Sequence, residues 1–483
     1  MLKKIFKAVS ISLLLLLLAM FGKTLFTHAD EIPSEKQMWR FENANGFERF
    51  SQAIQFQVVG DDEGANQEAN LVELRRFHAW MASSYPKVFS KSTVEVINGG
   101  SLLITIAGRE HVNASMFLAH LDVVPVADAS KWKFPPYKGV IQGDTLWGRG
   151  TLDDKNVVIA LLEAMEMYLK LGLTPQRDIV LAFGHDEETG GTEGAAQIAQ
   201  YLKKNRRSIG FIADEGYGVM EGIVPGLNKP AAIVGLAEKG FATLDLEVNI
   251  PGGHSAWPKP DNASAVMVEA LHKIDNFQFD ARLDGPIRGL FEQAAPHMNF
   301  GYKMLFSNLW LTSPLVKMVL LGKEKTAATI RTTHVTTLIH GGVKENVVPP
   351  VLKATINLRV LPGDDIQVLR KEIISVIDDD RVKVTLRPDF HAATPVSPDK
   401  GLGYDQIKQS VLVVFGDVAM VPGMVITGTD CKNYIGVTDR IYRFVPFRFN
   451  NGNLSGIHGL NEHIERKDFY RAIDFYVDLF NRL

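Results

Sequence analysis

The chain has 483 residues, 46% of them hydrophobic and 22% charged, enough for two or three domains and a sizeable core. A formal net charge of -3 argues against a general nucleic-acid binder, which would carry a basic excess. The single cysteine, Cys431, excludes an internal disulfide.

At the amino terminus, Lys3, Lys4 and Lys7 precede an uncharged run from Ala8 to Gly22 that includes consecutive leucines from Leu13 to Leu18. A basic start followed by roughly 7–15 apolar residues is the pattern of a secretory signal. Thr27 and Ala29 supply small residues ahead of a cut before Asp30. Lys23 stops the run short of the roughly 20 residues that span a bilayer comfortably. The expectation is an exported protein, periplasmic or secreted, with residues 1–29 either removed or kept as a membrane anchor.

Apolar residues at helical spacing follow, with Phe47, Phe50 and Ile54 on one face. Leu71, Leu74, Phe77, Trp80 and Met81 form a second stripe. Strands and helices then alternate: a strand over 115–119, a helix over 156–171 ending at Gly172, a strand over 179–183, a helix end over 197–203 and a strand over 209–213. This predicts an α/β fold with a mostly parallel sheet covered on both faces. Around Gly240 the style changes. Leu244, Leu246 and Val248 alternate as in a half-exposed strand; a helix at 264–274, strands near 335–339 and 352–360, a helix at 366–377 and a strand at 382–386 complete the set. Two helices and four strands predict an inserted α+β, ferredoxin-like lid. An apolar-rich stretch over 276–330 interrupts it. From about Ala393 the α/β style returns, with apolar runs at 410–415 and 469–480. The expected division is therefore a catalytic domain over 30–239 and 393–483, with a lid or dimerisation-type domain over 240–392.

Acids and histidines cluster just beyond the predicted strand ends. His120 and Asp122 follow one strand, and Asp153-Asp154-Lys155 opens a helix after a glycine-rich loop. Glu187-Glu188 and Asp214-Glu215 follow two further strands. Ligands of open α/β sheets bind beyond the carboxyl ends of the strands. Paired metal ions need imidazole and carboxylate ligands and a shared carboxylate, and hydrolysis needs a base that is not itself a ligand. Adjacent glutamates on a turn can divide those tasks. Motifs for other hydrolase mechanisms, His-Glu-x-x-His and Gly-x-Ser-x-Gly among them, do not occur.

The segments Leu118–Pro125, Trp147–Lys155, Asp186–Gly191 and Pro251–Ser255 resemble those of the aminoacylase/carboxypeptidase family of two-zinc peptidases, within it the carboxypeptidase S branch that includes N-fatty-acyl-amino-acid synthase/hydrolases. Trp132–Tyr137 and Ile457–Glu462 strengthen the likeness, which runs from about residue 45 to the end. The resemblance implies two zinc ions, one held by His120, Asp153 and Asp214 and the other by Asp153, Glu188 and His458, with His463 structural. It implies that Asp122 fixes the ring of His120 and that Glu187 is the general base. From the lid, His254 would polarise the scissile carbonyl, Asn346 would contact substrate and Arg359 would clamp a substrate carboxylate. Gly428-Thr429-Asp430 resembles the family's late substrate loop, but Cys431-Lys432 departs from its pattern.

The implied activity is hydrolysis of an amide bond beside a free carboxylate, in a peptide or an N-acyl amino acid. The apolar residues 304–321 suit packing or an oligomer contact such as a homodimer, or an acyl-chain groove. The competing reading is an inactive metal- or peptide-binding protein on the same scaffold; Glu187 beside a complete ligand set argues against it.

Overall fold

The computed structural model describes residues 2–29, 44–60, 67–450 and 452–483. Asp30, the residue after the expected cut, lies outside them. A helix, α1 (Leu2–Phe26), opens the chain and includes Lys23, the charge that ends the uncharged run.

The first part of the catalytic domain contributes strands β1 (Ser92–Ile97), β2 (Ser101–Ile106), β3 (Glu110–His120), β4 (Arg177–Gly184), β5 (Ile209–Met220) and β6 (Ala231–Glu238). One residue, Lys239, separates β6 from the lid strand β7 (Gly240–Asn249), which is followed by β8 (Thr333–Gly341), β9 (Val351–Val360) and β10 (Val382–Leu386). The chain then returns with β11 (Ala419–Val425) and β12 (Ile441–Phe449).

The catalytic sheet has the order β1-β2-β4-β3-β5-β12-β6-β11. Its centre, β4-β3-β5-β12, is parallel, while β1 and β2 form an antiparallel edge. The last seven residues of β3 and all of β6 and β11 are buried, as expected for strands covered on both faces. Helix α2 (Lys155–Lys170) is buried along almost its whole length because the carboxyl-terminal helix Arg466–Asn481 packs over it. On the other face, Ile198, Ala199 and Leu202 of the helix Ala195–Lys204 join Met116, Leu118 and Ile212 in a second apolar layer.

The lid sheet, β8-β9-β7-β10, is antiparallel throughout. Ala242, Leu244, Leu246 and Val248 turn one face of β7 inward, against helices α3 (Ala263–Asn276) and α4 (Ile366–Ile377). Asn262 and Asp365 cap these helices, each side chain accepting two backbone N–H groups, which fixes where the helices start.

The interrupting stretch is helical: Gly285–Ala294, Phe300–Ser307 and Leu309–Leu321 follow one another. It packs on the catalytic layer rather than on the lid, since Ile287, Phe306, Leu309 and Val316 belong to the main core. It is therefore an appendage of the catalytic body emitted from within the lid segment. Lys239 pins this junction by donating to the carbonyls of Ala328 (3.0 Å) and Arg331 (2.9 Å).

Candidate metal centre and active site

The parallel strands end on one edge, and the loops beyond them meet there. His120 closes β3. Asp122, two residues on, accepts the backbone N–H groups of Glu187 (3.2 Å) and Glu188 (3.1 Å), while its carbonyl lies 3.0 Å from His120 Nδ1 and its carboxylate 3.3 Å from the same nitrogen. Asp122 thus ties the histidine ring to the Glu-Glu turn. That turn needs its glycines: Gly190 and Gly191 have φ of 105° and 71°, and both N–H groups close back on it at 2.8 Å.

Asp153 stands at the centre. Its Oδ1 is 3.0 Å from His120 Nε2, and its Oδ2 is 3.0 Å from His458 Nε2. His458 Nε2 is also 3.3 Å from Glu188 Oε2. Two groups with ligand atoms mutually within 4.8 Å result: His120, Asp153 and Glu215, and Asp153, Glu188 and His458. They share Asp153.

The first group differs from the set expected from the sequence. Glu215, not Asp214, joins His120 and Asp153. Neighbours on a strand point to opposite faces, and Asp214 turns away to accept the Cys431 N–H at 3.2 Å. His463 also sits apart from both groups; its ring stacks on Trp147 at 4.3 Å.

The acid-rich loop is held by a residue that sequence reasoning left without a role. Glu462, fully buried, accepts N–H groups of Gly150, Leu152 and Asp153 and pairs with the buried Arg149 at 2.7 Å. Its only signal in sequence was its place in the Ile457–Glu462 segment.

The electrostatics call for cations. Burial pushes Glu187 up to about 8, with Glu188, Asp122 and Asp153 adding to the rise. Burial and the charges of Asp153 and Glu187 raise Glu215 well above the usual carboxylate range. Burial opposes ionisation of Asp153, but hydrogen bonds from His120 and His458 hold it below its usual value. Glu188 Oε1 is buried and has no hydrogen-bond partner. Carboxylates crowded this way repel one another unless positive charge lies between them. Imidazole and carboxylate donors, a shared acid and an orphaned oxygen fit a pair of divalent ions.

The lid residues lie elsewhere. His254 and Asn346 are exposed neighbours: His254 pairs with Val347, and Ser255 donates to the Asn346 carbonyl at 3.2 Å. Among the described residues no hydrogen bond or ion pair joins either to the metal-ligand groups. Arg359 sits at the hinge end of the lid sheet, opposite Phe241 in β7, with its guanidinium 5.1 Å from that ring. Behind the hinge, Arg443 pairs with Glu238 at 3.2 Å, and Glu238 accepts from Thr429 at 2.8 Å, so the Gly428-Thr429-Asp430 loop is tied to the end of β6.

The pattern of peptidase family M20/M25/M40 matches residues 116–482. The N-fatty-acyl-amino acid synthase/hydrolase PM20D1 of Xenopus tropicalis is 35% identical over 432 residues, 88% of this chain and 83% of that one. A probable carboxypeptidase S-like 2 of Dictyostelium discoideum is 37% identical over 437 residues, 89% of this chain and 84% of that one. Among solved structures, human carnosine dipeptidase 1 shares the fold, with a TM-score of 0.62 at 15% identity over 90% of this chain and 95% of that one. By the extent of these matches the chain belongs to peptidase family M20/M25/M40 and is a metal-dependent amide hydrolase.

Proposed function

We propose that the chain uses two zinc ions to hydrolyse the amide bond of an N-acyl amino acid or of a carboxyl-terminal peptide residue, with Glu187 as general base. The observation that carries this reading is the pair of ligand groups joined through Asp153, with Glu187 beside them and in neither. His120 and Glu215 would hold one ion, Glu188 and His458 the other, and Asp153 both. Bound there, the ions would polarise the scissile carbonyl and acidify water.

The chain's own residues do the rest. Asp122 holds the imidazole of His120 and the start of the Glu187-Glu188 turn in one unit, so the base and the ligands keep a fixed spacing. The Glu187 carboxylate removes a proton from the attacking water and returns it to the leaving nitrogen. A neighbouring dication would bring Glu187 down from about 8, leaving it ionised for the first of these steps. Arg359 offers a planar guanidinium at the hinge for the substrate carboxylate. His254 and Asn346, both exposed, reach the scissile carbonyl only through movement of the lid or from a second copy in a homodimer. The names of the relatives favour N-acyl amino acids and carboxyl-terminal residues alike.

The test offers the purified chain N-acyl amino acids of increasing chain length and blocked dipeptides, with and without a chelator, followed by zinc repletion. Cleavage that the chelator abolishes and zinc restores is expected. No cleavage of either substrate set under several divalent metals would sink the reading.

A further inference from the structure

Three helices outside the active site carry an apolar surface that no core covers. They are α1, a helix α5 (Phe300–Ser307) and a helix α6 (Leu309–Leu321). On α6, Leu309 and Val316 are buried, whereas Trp310, Leu311, Pro314, Leu315, Met318 and Val319 are exposed, Met318 and Val319 by 64% and 65%. Those positions recur at i, i+1, i+4, i+5, i+8 and i+9, which is one continuous stripe along a helix. An amphipathic helix of a water-soluble protein turns such a stripe inward; here it faces out.

α1 is attached to this surface. Phe21 meets Phe300 at 5.8 Å. Asn308, wholly buried between α5 and α6, donates to the Met20 carbonyl at 3.2 Å and lies 3.1 Å from Thr24 Oγ1, and Thr24 is itself only 1% exposed. Loss of α1 would strip two of the three acceptors from that amide. The rest of α1, from Ile5 to Leu18, projects with its apolar side chains exposed on all sides. The 24 residues from Lys3 to Phe26 amount to about 36 Å of helix, against a bilayer core of about 30 Å.

We propose that α1 is retained as a membrane anchor and that α6 lies in the interface of the same bilayer, with its Trp310–Val319 stripe among the acyl chains. α6 has 13 residues, too few to cross, and it turns by 109° from α5, so it runs across that helix rather than continuing it. Lys317 within α6 and Lys323 just past its end supply cations along that segment and suit lipid phosphates. Continuity with α1, apolar around its whole girth, favours lipid over a second copy of the chain as the occupant. Lys3, Lys4 and Lys7 place the amino terminus on the cytoplasmic side and the catalytic body on the other.

The experiment uses the full chain in vesicles of phosphatidylcholine and phosphatidylglycerol, with Met318→Cys carrying a polarity-sensitive fluorophore; Cys431 is buried and closed to the reagent. A nitroxide on the lipid acyl chain is expected to quench this label at least two-fold and to leave the same label at the exposed lid position Val368→Cys unchanged. A label at 318 as wet as that at 368 overturns the proposal. So does one that is dry but unquenched, which would place a second copy of the chain on the stripe. Independently, the chain extracted from membranes of producing cells should survive an alkaline carbonate wash and have a mass that includes residues 1–29; a mass beginning at Asp30 overturns the anchor.

Discussion

Glu215 and Asp214 are adjacent carboxylates with different partners: Glu215 lies with His120 and Asp153, whereas Asp214 accepts the Cys431 N–H. Glu215→Gln is expected to reduce bound metal from two ions per chain to one, read by elemental analysis. Asp214→Asn should keep both ions and instead weaken the hydrogen bond to the Cys431 N–H, costing about 1–3 kcal/mol in chemical denaturation. Two ions retained in the Glu215 variant would return the ligand role to Asp214. A second residue, His78, is expected to contribute to acid sensitivity. Burial lowers it to about 4, and its Nε2 is buried without a partner. Between its unfolded value near 6.5 and about 4, the unfolded chain binds the extra proton, so the folded state loses stability as pH falls through that window. The loss is roughly 2–3 kcal/mol. His78→Gln should flatten the difference in stability between pH 7 and pH 4 relative to the parent chain; an unchanged pH profile would count against it.

At the scale of elements, sequence periodicity located the lid closely. The helix read over 366–377 has those bounds, as does the strand over 382–386, because alternation and helical spacing are strong where one face is buried and the other wet. The hairpin β1-β2 and the buried strands β6, β11 and β12 were not legible in that way. Continuous apolar runs such as Ala419–Val425 have no period, and their place depends on which strands lie beside them. The same lack of a sheet order left the grouping of Glu215 with His120 and Asp153 illegible, since alternation says only that Asp214 and Glu215 face opposite ways. The apolar stretch 304–321 suits packing by composition, yet its stripe faces outward, a distinction that helical spacing alone does not make. The loop bearing Asp153 is held by Glu462, and here a large penalty is expected. Glu462→Ala leaves Arg149 buried and uncompensated, which costs about 3–5 kcal/mol. Denaturant titration checks this; a loss below about 1 kcal/mol would mean that other groups hold the loop.

For the whole molecule, metal and stability are coupled. The candidate ligands come from the end of β3, the turn after β4, the middle of β5, the loop before α2 and the segment near the carboxyl terminus, so an ion bound among them favours the folded chain over the unfolded one. Free metal at a hundred times its dissociation constant adds about 2.7 kcal/mol per site. Chelation should therefore lower the melting temperature measurably, and zinc should restore it. An unchanged melting curve would mean that the cluster is stable without ions.

Whether Glu187 supplies the base at a two-ion centre joined through Asp153 is read from Glu187→Gln, with metal content and turnover measured on the same preparation. Two ions per chain, as in the parent, and a fall in turnover of about 10²–10⁴-fold on an N-acyl amino acid are expected. Full turnover with both ions in place would contradict the assignment of Glu187 as the base.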